Sequence, residues 1–143
     1  MKIREATVQD AEALCRISCE ELGYPCKLDF VSARIHSLEK KRERIFVAED
    51  KGIIAGYIHA ETYELLYFEP MINILGLAVS SQFRRCGVGK MLLERTEEWA
   101  KQEGITVLRC NSGASRKEAH TFYRAMGFHK EKEQIRFLKE LEL

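Results

Sequence analysis

The sequence predicts a mixed α/β domain, a sheet of six strands flanked by four helices, antiparallel early and parallel at one central pair. Three observations predict it. Apolar residues recur at helical spacing in four segments. Short β-branched and aromatic runs bounded by turn residues stand between them. The stretch from Met71 to Cys110 reads as strand, turn, helix and strand, the order of a parallel crossover.

The elements follow in order. Thr7 is placed to cap a helix carrying Ala11, Leu14, Cys15 and Ile17, stopped at Gly23-Tyr24-Pro25. A second helix starts near Asp29, carries Phe30, Ala33 and Leu38, fits Ile35 less well, and ends in the basic run Lys40 to Arg44. Ile45 to Ala48 is a strand, Asp50-Lys51-Gly52 a hairpin turn, and Ile53 to Thr62 the returning strand. Glu64 to Pro70 reads as an apolar loop placed to cover a groove or a partner. Met71 to Val79, apolar without clean alternation, is the central strand. A glycine turn leads to a helix ending at Glu103, with Val88, Met91, Leu92, Thr96, Trp99 and Ala100 as its apolar face. A strand over Ile105 to Cys110, a helix over Lys117 to Met126, and strands over Phe128 to Lys130 and Gln134 to Leu141 complete the list.

The 143 residues make one domain, 1–143, large enough for a core without staples. Charged residues are 31% of the chain and the net charge is +1, which gives no overall footprint for nucleic acid or an acidic membrane. No apolar run approaches the ~20 residues of a membrane span, and Met1 to Glu5 is not a signal sequence. Cys15, Cys19, Cys26, Cys86 and Cys110 form neither a disulfide framework nor a metal set. A cytoplasmic protein with no metal is therefore expected.

Two segments carry chemistry. In Arg84-Arg85-Cys86-Gly87-Val88-Gly89-Lys90, glycines stand between a buried strand and a helix start. Free N–H groups there, with no side chain to hold a ligand away, suit pyrophosphate, and three cations add to the attraction. A plain tight turn with a basic edge is the alternative. The turn lacks the Gly-Lys-Ser/Thr ending of a P-loop and the third glycine of a dinucleotide fingerprint. The second segment runs from Ser115 to Phe128. Ala119, Phe122 and Met126 make one face of a helix, with Tyr123 beside them, either functional or simply packed.

Together the two segments resemble the GNAT N-acetyltransferases. Arg84-Arg85-Cys86-Gly87-Val88-Gly89 fits their Arg/Gln-x-x-Gly-x-Gly/Ala signature, and Ala119 to Phe128 fits their Ala-x-x-Phe-Tyr-x-x-x-Gly-Phe helix end. The resemblance implies six to seven strands with a splayed parallel pair and a β-bulge. It implies acetyl-CoA as co-substrate and a primary amine of a small molecule or peptide as acceptor. Coenzyme A would lie against Leu77, Ala78, Val79, Arg84, Arg85, Cys86, Gly87, Val88, Gly89, Lys90, Asn111, Arg116, Phe122 and Tyr123. The Val79 N–H would stabilise the oxyanion, and Tyr123 would protonate the leaving thiolate. Where many members carry a basic Glu, this chain has Asn73 and Asn111, which leaves His59, Glu61, Glu64, Glu69 or a water as base. Arg116 stands where the family often has Asn. Another acyl donor, a hydroxyl acceptor and a non-catalytic coenzyme A-binding module remain alternatives, and a homodimer is expected.

Overall fold

The structure, a computed structural model, describes residues 1–143. The residues fall into two units, 1–111 and 112–143. The first holds a five-stranded sheet in simple sequence order: β1 (Lys2–Glu5), β2 (Glu43–Asp50), β3 (Ile53–Leu65), β4 (Phe68–Val79) and β5 (Leu108–Cys110). The first four pair antiparallel, and β5 pairs parallel with β4. Lys51 and Gly52, with φ of 51° and 83°, make the tight turn between β2 and β3, as two-residue hairpins require.

Alternation along the strands sends side chains to two layers. On one face Ile45, Val47, Ile54 and Ala78 bury against α1 (Ala11–Leu22) and α2 (Leu28–His36), through Ala11, Leu14, Ile17 and Ile35. Ser18 on α1 is hydrogen-bonded to the Tyr57 hydroxyl at 2.6 Å. Phe46 and Arg44 alternate to the other face. There Arg95 stacks on Phe46 and Arg44 on Trp99, both from α3 (Val88–Gln102). Leu92, Leu93, Thr96 and Trp99 of α3 are fully buried.

The α/β class, the four helices and a parallel pair stand as expected, but the pair lies at the edge of the sheet, since β5 is its last strand, and several other elements differ. The sheet has five strands, not six or seven. No strand forms at Phe128–Lys130 or Gln134–Leu141, and every residue from His129 onward is exposed. Ile135, Phe137 and Leu141 keep a period of two and only Leu138 breaks it, but alternation alone does not supply a neighbouring strand, and none pairs with this segment. β1 was not anticipated, because only Ile3 in it is apolar; it is held as an edge strand by pairing with β2. In α2 the buried residue is Ile35, whereas Phe30 is 68% exposed. The basic run Lys40 to Arg44 is a turn that enters β2, not a helix end. Glu64 to Pro70 is mostly ladder: Leu65 faces Phe68, and only Leu66 and Tyr67 form the turn. Leu93 joins the buried face of α3 in place of Met91.

The second unit contains α4 (Lys117–Ala125), which ends at Gly127 with φ 94°. Ala119, His120, Phe122 and Tyr123 are its half-buried side chains.

Candidate active site

The sheet opens along the outer side of β4. Between β3 and β4, His59 faces Gly76 while the next residue, Ala60, faces Ile74. Leu75 is therefore an extra residue, a β-bulge that kinks β4. On the other side β5 pairs only with Ile72, Asn73 and Ile74. Beyond Ile74, β4 runs on to Val79 without a strand on that edge, which is the expected splay. Which groups face the opening follows from alternation. The Ser80 N–H donates to Ala55 O at 2.8 Å, so even-numbered residues here point toward β3. Leu77 and Val79 then present N–H and C=O to the open edge.

Gly87 caps α3 with φ 75°, and Arg85 also lies in the left-handed region at 64°. A Cβ on Gly87 would meet nothing within 4 Å, so the space before the turn is open. The first N–H groups of α3, from Val88 to Lys90, have no intrahelical acceptors and carry the positive end of the helix dipole. The three cations differ. Arg84 is tied to Glu21 of α1 at 3.2 Å, and Glu21 also accepts the Ser81 N–H at 3.1 Å, so α1 steadies the turn. Lys90 lies 3.9 Å from Glu94. Arg85 has no carboxylate within 4.0 Å. An open backbone edge ending at such a turn fits a coenzyme A, a pantetheine arm with a pyrophosphate.

Beside the bulge, on the α1/α2 face, lies a polar row. Glu43, Glu61, Asn73 and Arg109 are successive partners across β2, β3, β4 and β5. His59 joins it from β3. Its Nε2 lies 2.9 Å from Glu43 Oε1, which also accepts from Arg34 of α2 at 2.8 Å. Burial pushes the Glu43 carboxyl upward, but the hydrogen bonds from His59 and Arg34 outweigh it, and the carboxyl titrates below its ordinary range. An ionised carboxylate only accepts. Nε2 of His59 therefore donates the hydrogen of this bond. Of the other expected bases, Glu61 is bonded to Asn73 at 2.8 Å, whereas Glu64 and Glu69 are exposed. Sequence reasoning missed Glu43, Arg34 and Arg109.

Asn111 accepts from Arg109 at 3.3 Å. Cys86 is exposed, and Ala78 is buried with its side chain in the α1/α2 core. In the second unit the Tyr123 ring packs edge-on against Phe122 and Phe128, each at 5.3 Å. His120 donates to the Gly113 carbonyl at 2.9 Å, and Arg116, before α4, is exposed.

The profile of the acetyltransferase (GNAT) family matches residues 11–128. An uncharacterized N-acetyltransferase of Chlorobaculum tepidum is 30% identical over 129 residues, 88% of this chain and 74% of the relative. The next two curated relatives are matched over 39% and 49% of their own length. An aminoglycoside 6'-N-acetyltransferase from Acinetobacter haemolyticus superposes with a TM-score of 0.85 at 20% identity, covering 99% of this chain and all of that one. AAC(6')-Iy in complex with the bisubstrate analog CoA-S-monomethyl-acetylneamine superposes with a TM-score of 0.83 at 18% identity, covering 98% of each chain.

Proposed function

The chain belongs to the acetyltransferase (GNAT) family, and from that premise we propose that residues 1–143 act as one acetyl-CoA-dependent domain that acetylates the primary amine of a small molecule. The observation that carries the reading is the β4 edge, free of β5 beyond Ile74 and ending at the Gly87 turn. Leu77 and Val79 hold the pantetheine arm as an added strand. Arg85, Arg84, Lys90 and the N–H groups of the Cys86–Gly87–Val88–Gly89 turn hold the pyrophosphate. Ala78, Asn111, Arg116 and Phe122 complete the cofactor contacts.

When bound, acetyl-CoA supplies the acyl group as an activated thioester. The remaining work is done by the chain. His59, oriented by Glu43, takes the proton of the acceptor's ammonium, so that the neutral nitrogen can attack. The Val79 N–H donates to the carbonyl oxygen as it becomes negative. The N–C bond forms first, giving a tetrahedral adduct; as it collapses the C–S bond breaks, the Tyr123 hydroxyl gives its proton to the departing sulfur, and the proton that the nitrogen sheds on becoming an amide returns through solvent to the tyrosine oxygen. The relatives that act on aminoglycosides support a small-molecule amine over a peptide. Reduced thiols at Cys15, Cys19, Cys26 and Cys86 suit the cytoplasm. The exposed apolar hairpin tip, Leu66 to Phe68, supports a homodimer, which sedimentation would test.

The test is calorimetric titration with coenzyme A alongside thiol release from acetyl-CoA with amines. Gly87→Glu places bulk and negative charge in the open space of the turn and is expected to abolish binding. Unchanged affinity in that variant would overturn the assignment.

A further inference from the structure

The row beside the bulge contains two charges that the fold leaves without counter-ions. Asn73, only 9% exposed, stands between them. Its Nδ2 donates to Glu61 Oε2 at 2.8 Å, and its Oδ1 accepts from Arg109 Nη1 at 3.2 Å. The amide is oriented by its neighbours, since a carboxylate only accepts and a guanidinium only donates. The chain's ion pairs all lie elsewhere: no cation is within 4.0 Å of the Glu61 carboxylate and no carboxylate is that near the Arg109 guanidinium. Arg109 is fixed instead by neutral groups. It stacks over the Tyr63 ring at 4.6 Å and donates to Asn111 at 3.3 Å.

Placed on adjacent strands, Glu61 and Arg109 would neutralise each other. Asn73 holds them two strands apart, about 9.5 Å between backbones. Partly buried charges kept from pairing cost stability, and such an arrangement is explained by a ligand that completes both. The row lies at the mouth of the cleft. Asn73 is two residues before the bulge, and Arg109 precedes Cys110, the last residue of β5 paired with β4. Glu43 is already committed to Arg34 and His59.

We propose that Glu61, Asn73 and Arg109 form the acceptor subsite, and that the acceptor is a short primary amine carrying an anionic group, its ammonium on Glu61 and its anion on Arg109. The proposal rests on the acetyltransfer reading above and narrows it. A polycationic amine would bring a second positive charge against Arg109 and is selected against. His59 lies two residues from Glu61 on the same face of β3, within the neighbourhood of an ammonium held there.

Three acceptors of equal length isolate the tail charge: γ-aminobutyrate, n-butylamine and 1,4-diaminobutane, each followed by thiol release at saturating acetyl-CoA. The expected order of kcat/KM is γ-aminobutyrate, butylamine, diaminobutane, with about a 10- to 100-fold advantage for the anionic tail, the worth of one charge-assisted contact. Arg109→Gln should make γ-aminobutyrate and butylamine equal, acting on KM, and Arg109→Glu should put diaminobutane first. Coenzyme A affinity should be unchanged in both variants, which also reports that they are folded. A wild type indifferent to tail charge, or variants that keep its order, overturns the subsite while acetyl transfer stands. Calorimetric binding of γ-aminobutyrate to the coenzyme A complex separates the two readings. Arg109-dependent binding without turnover upholds the subsite and removes the acetyltransferase reading, whereas no binding and no turnover removes both.

Discussion

Gly56 offers the sharpest test of how the sheet serves the reaction. It faces Val79 across the β3–β4 ladder. A Cβ added there would stand 2.7 Å from Ala78 O and 3.2 Å from both Val79 Cα and Val88 Cγ1. The first two are backbone atoms, so no side-chain rotation relieves the clash. To reach even a tight contact of 3.0–3.4 Å, the Ala78 carbonyl must retreat by about 0.3–0.7 Å. That carbonyl shares a peptide plane with the Val79 N–H, the proposed oxyanion donor. Overpacking of this kind costs about 1–3 kcal/mol, and the entropy that Ala removes from the unfolded chain returns about 0.4–1 kcal/mol. The net for Gly56→Ala is a loss of about 1–2 kcal/mol, or roughly 3–10 °C in Tm for a chain of this size. If a 1 Å misplacement costs ~10²-fold, a shift of about 0.3–0.7 Å lowers kcat by about 4- to 25-fold. Calorimetry and thiol-release kinetics read the two effects separately. Gly76→Ala is the control, since its nearest neighbour is the Tyr57 ring at 3.9 Å; its Tm should barely move. A Gly56→Ala enzyme with lowered Tm and wild-type kcat would remove Val79 from the mechanism. One with neither effect would refute the close approach itself.

Other expectations follow from individual side chains. His59→Gln should lower kcat by about 10²-fold or more with coenzyme A affinity intact, and an unchanged kcat would assign the proton to water. Tyr123→Phe should lower kcat by roughly 10²-fold with coenzyme A affinity intact, because the ring packing survives; equal kcat at every pH would free Tyr123 from the proton transfer. The Asp10 carboxyl, bonded to Arg4 at 2.8 and 2.9 Å, is held below its ordinary value chiefly by that bond. Its stabilisation is therefore complete above the unfolded value of about 4 and is lost as pH falls through the lower folded value. Asp10→Asn should lose stability at neutral pH and show a flatter acid limb below about pH 4, read by urea unfolding across pH.

The elements with strong local signals were legible. The Lys51-Gly52 turn, the apolar face of α3 and the Gly87 turn each rest on residues whose chemistry leaves few options. The polar row was not legible, for a reason of register. A regular hairpin about Lys51-Gly52 would set Arg44 opposite His59 and send Glu43 to the other face. In the structure Ala48 faces Gly56 while Glu49 faces Ile54, so Ala55 is an extra residue. That one-residue shift brings Glu43 opposite Glu61 and onto the face of His59. No local pattern announces it. The same holds for Arg109, whose meaning depends on a parallel pairing of three residues with β4. The missing C-terminal strands failed the other way: Ile135, Phe137 and Leu141 kept a strand's alternation, but no neighbouring strand pairs with them.

The unpaired edge of β4 between Leu75 and Val79 has a cost beyond catalysis. A row of unused N–H and C=O groups along the edge of a sheet is a template for any extended chain, including another copy of this protein. The proposed co-substrate, lying there as a strand, would satisfy the same groups, and at 100 times its Kd it would add about 2.7 kcal/mol to the folded state. The species open to such pairing would then be the empty enzyme. Storage, heating and proteolytic nicking would all be governed by how often that edge is vacant, and the molecule that the enzyme consumes would also act as its chaperone.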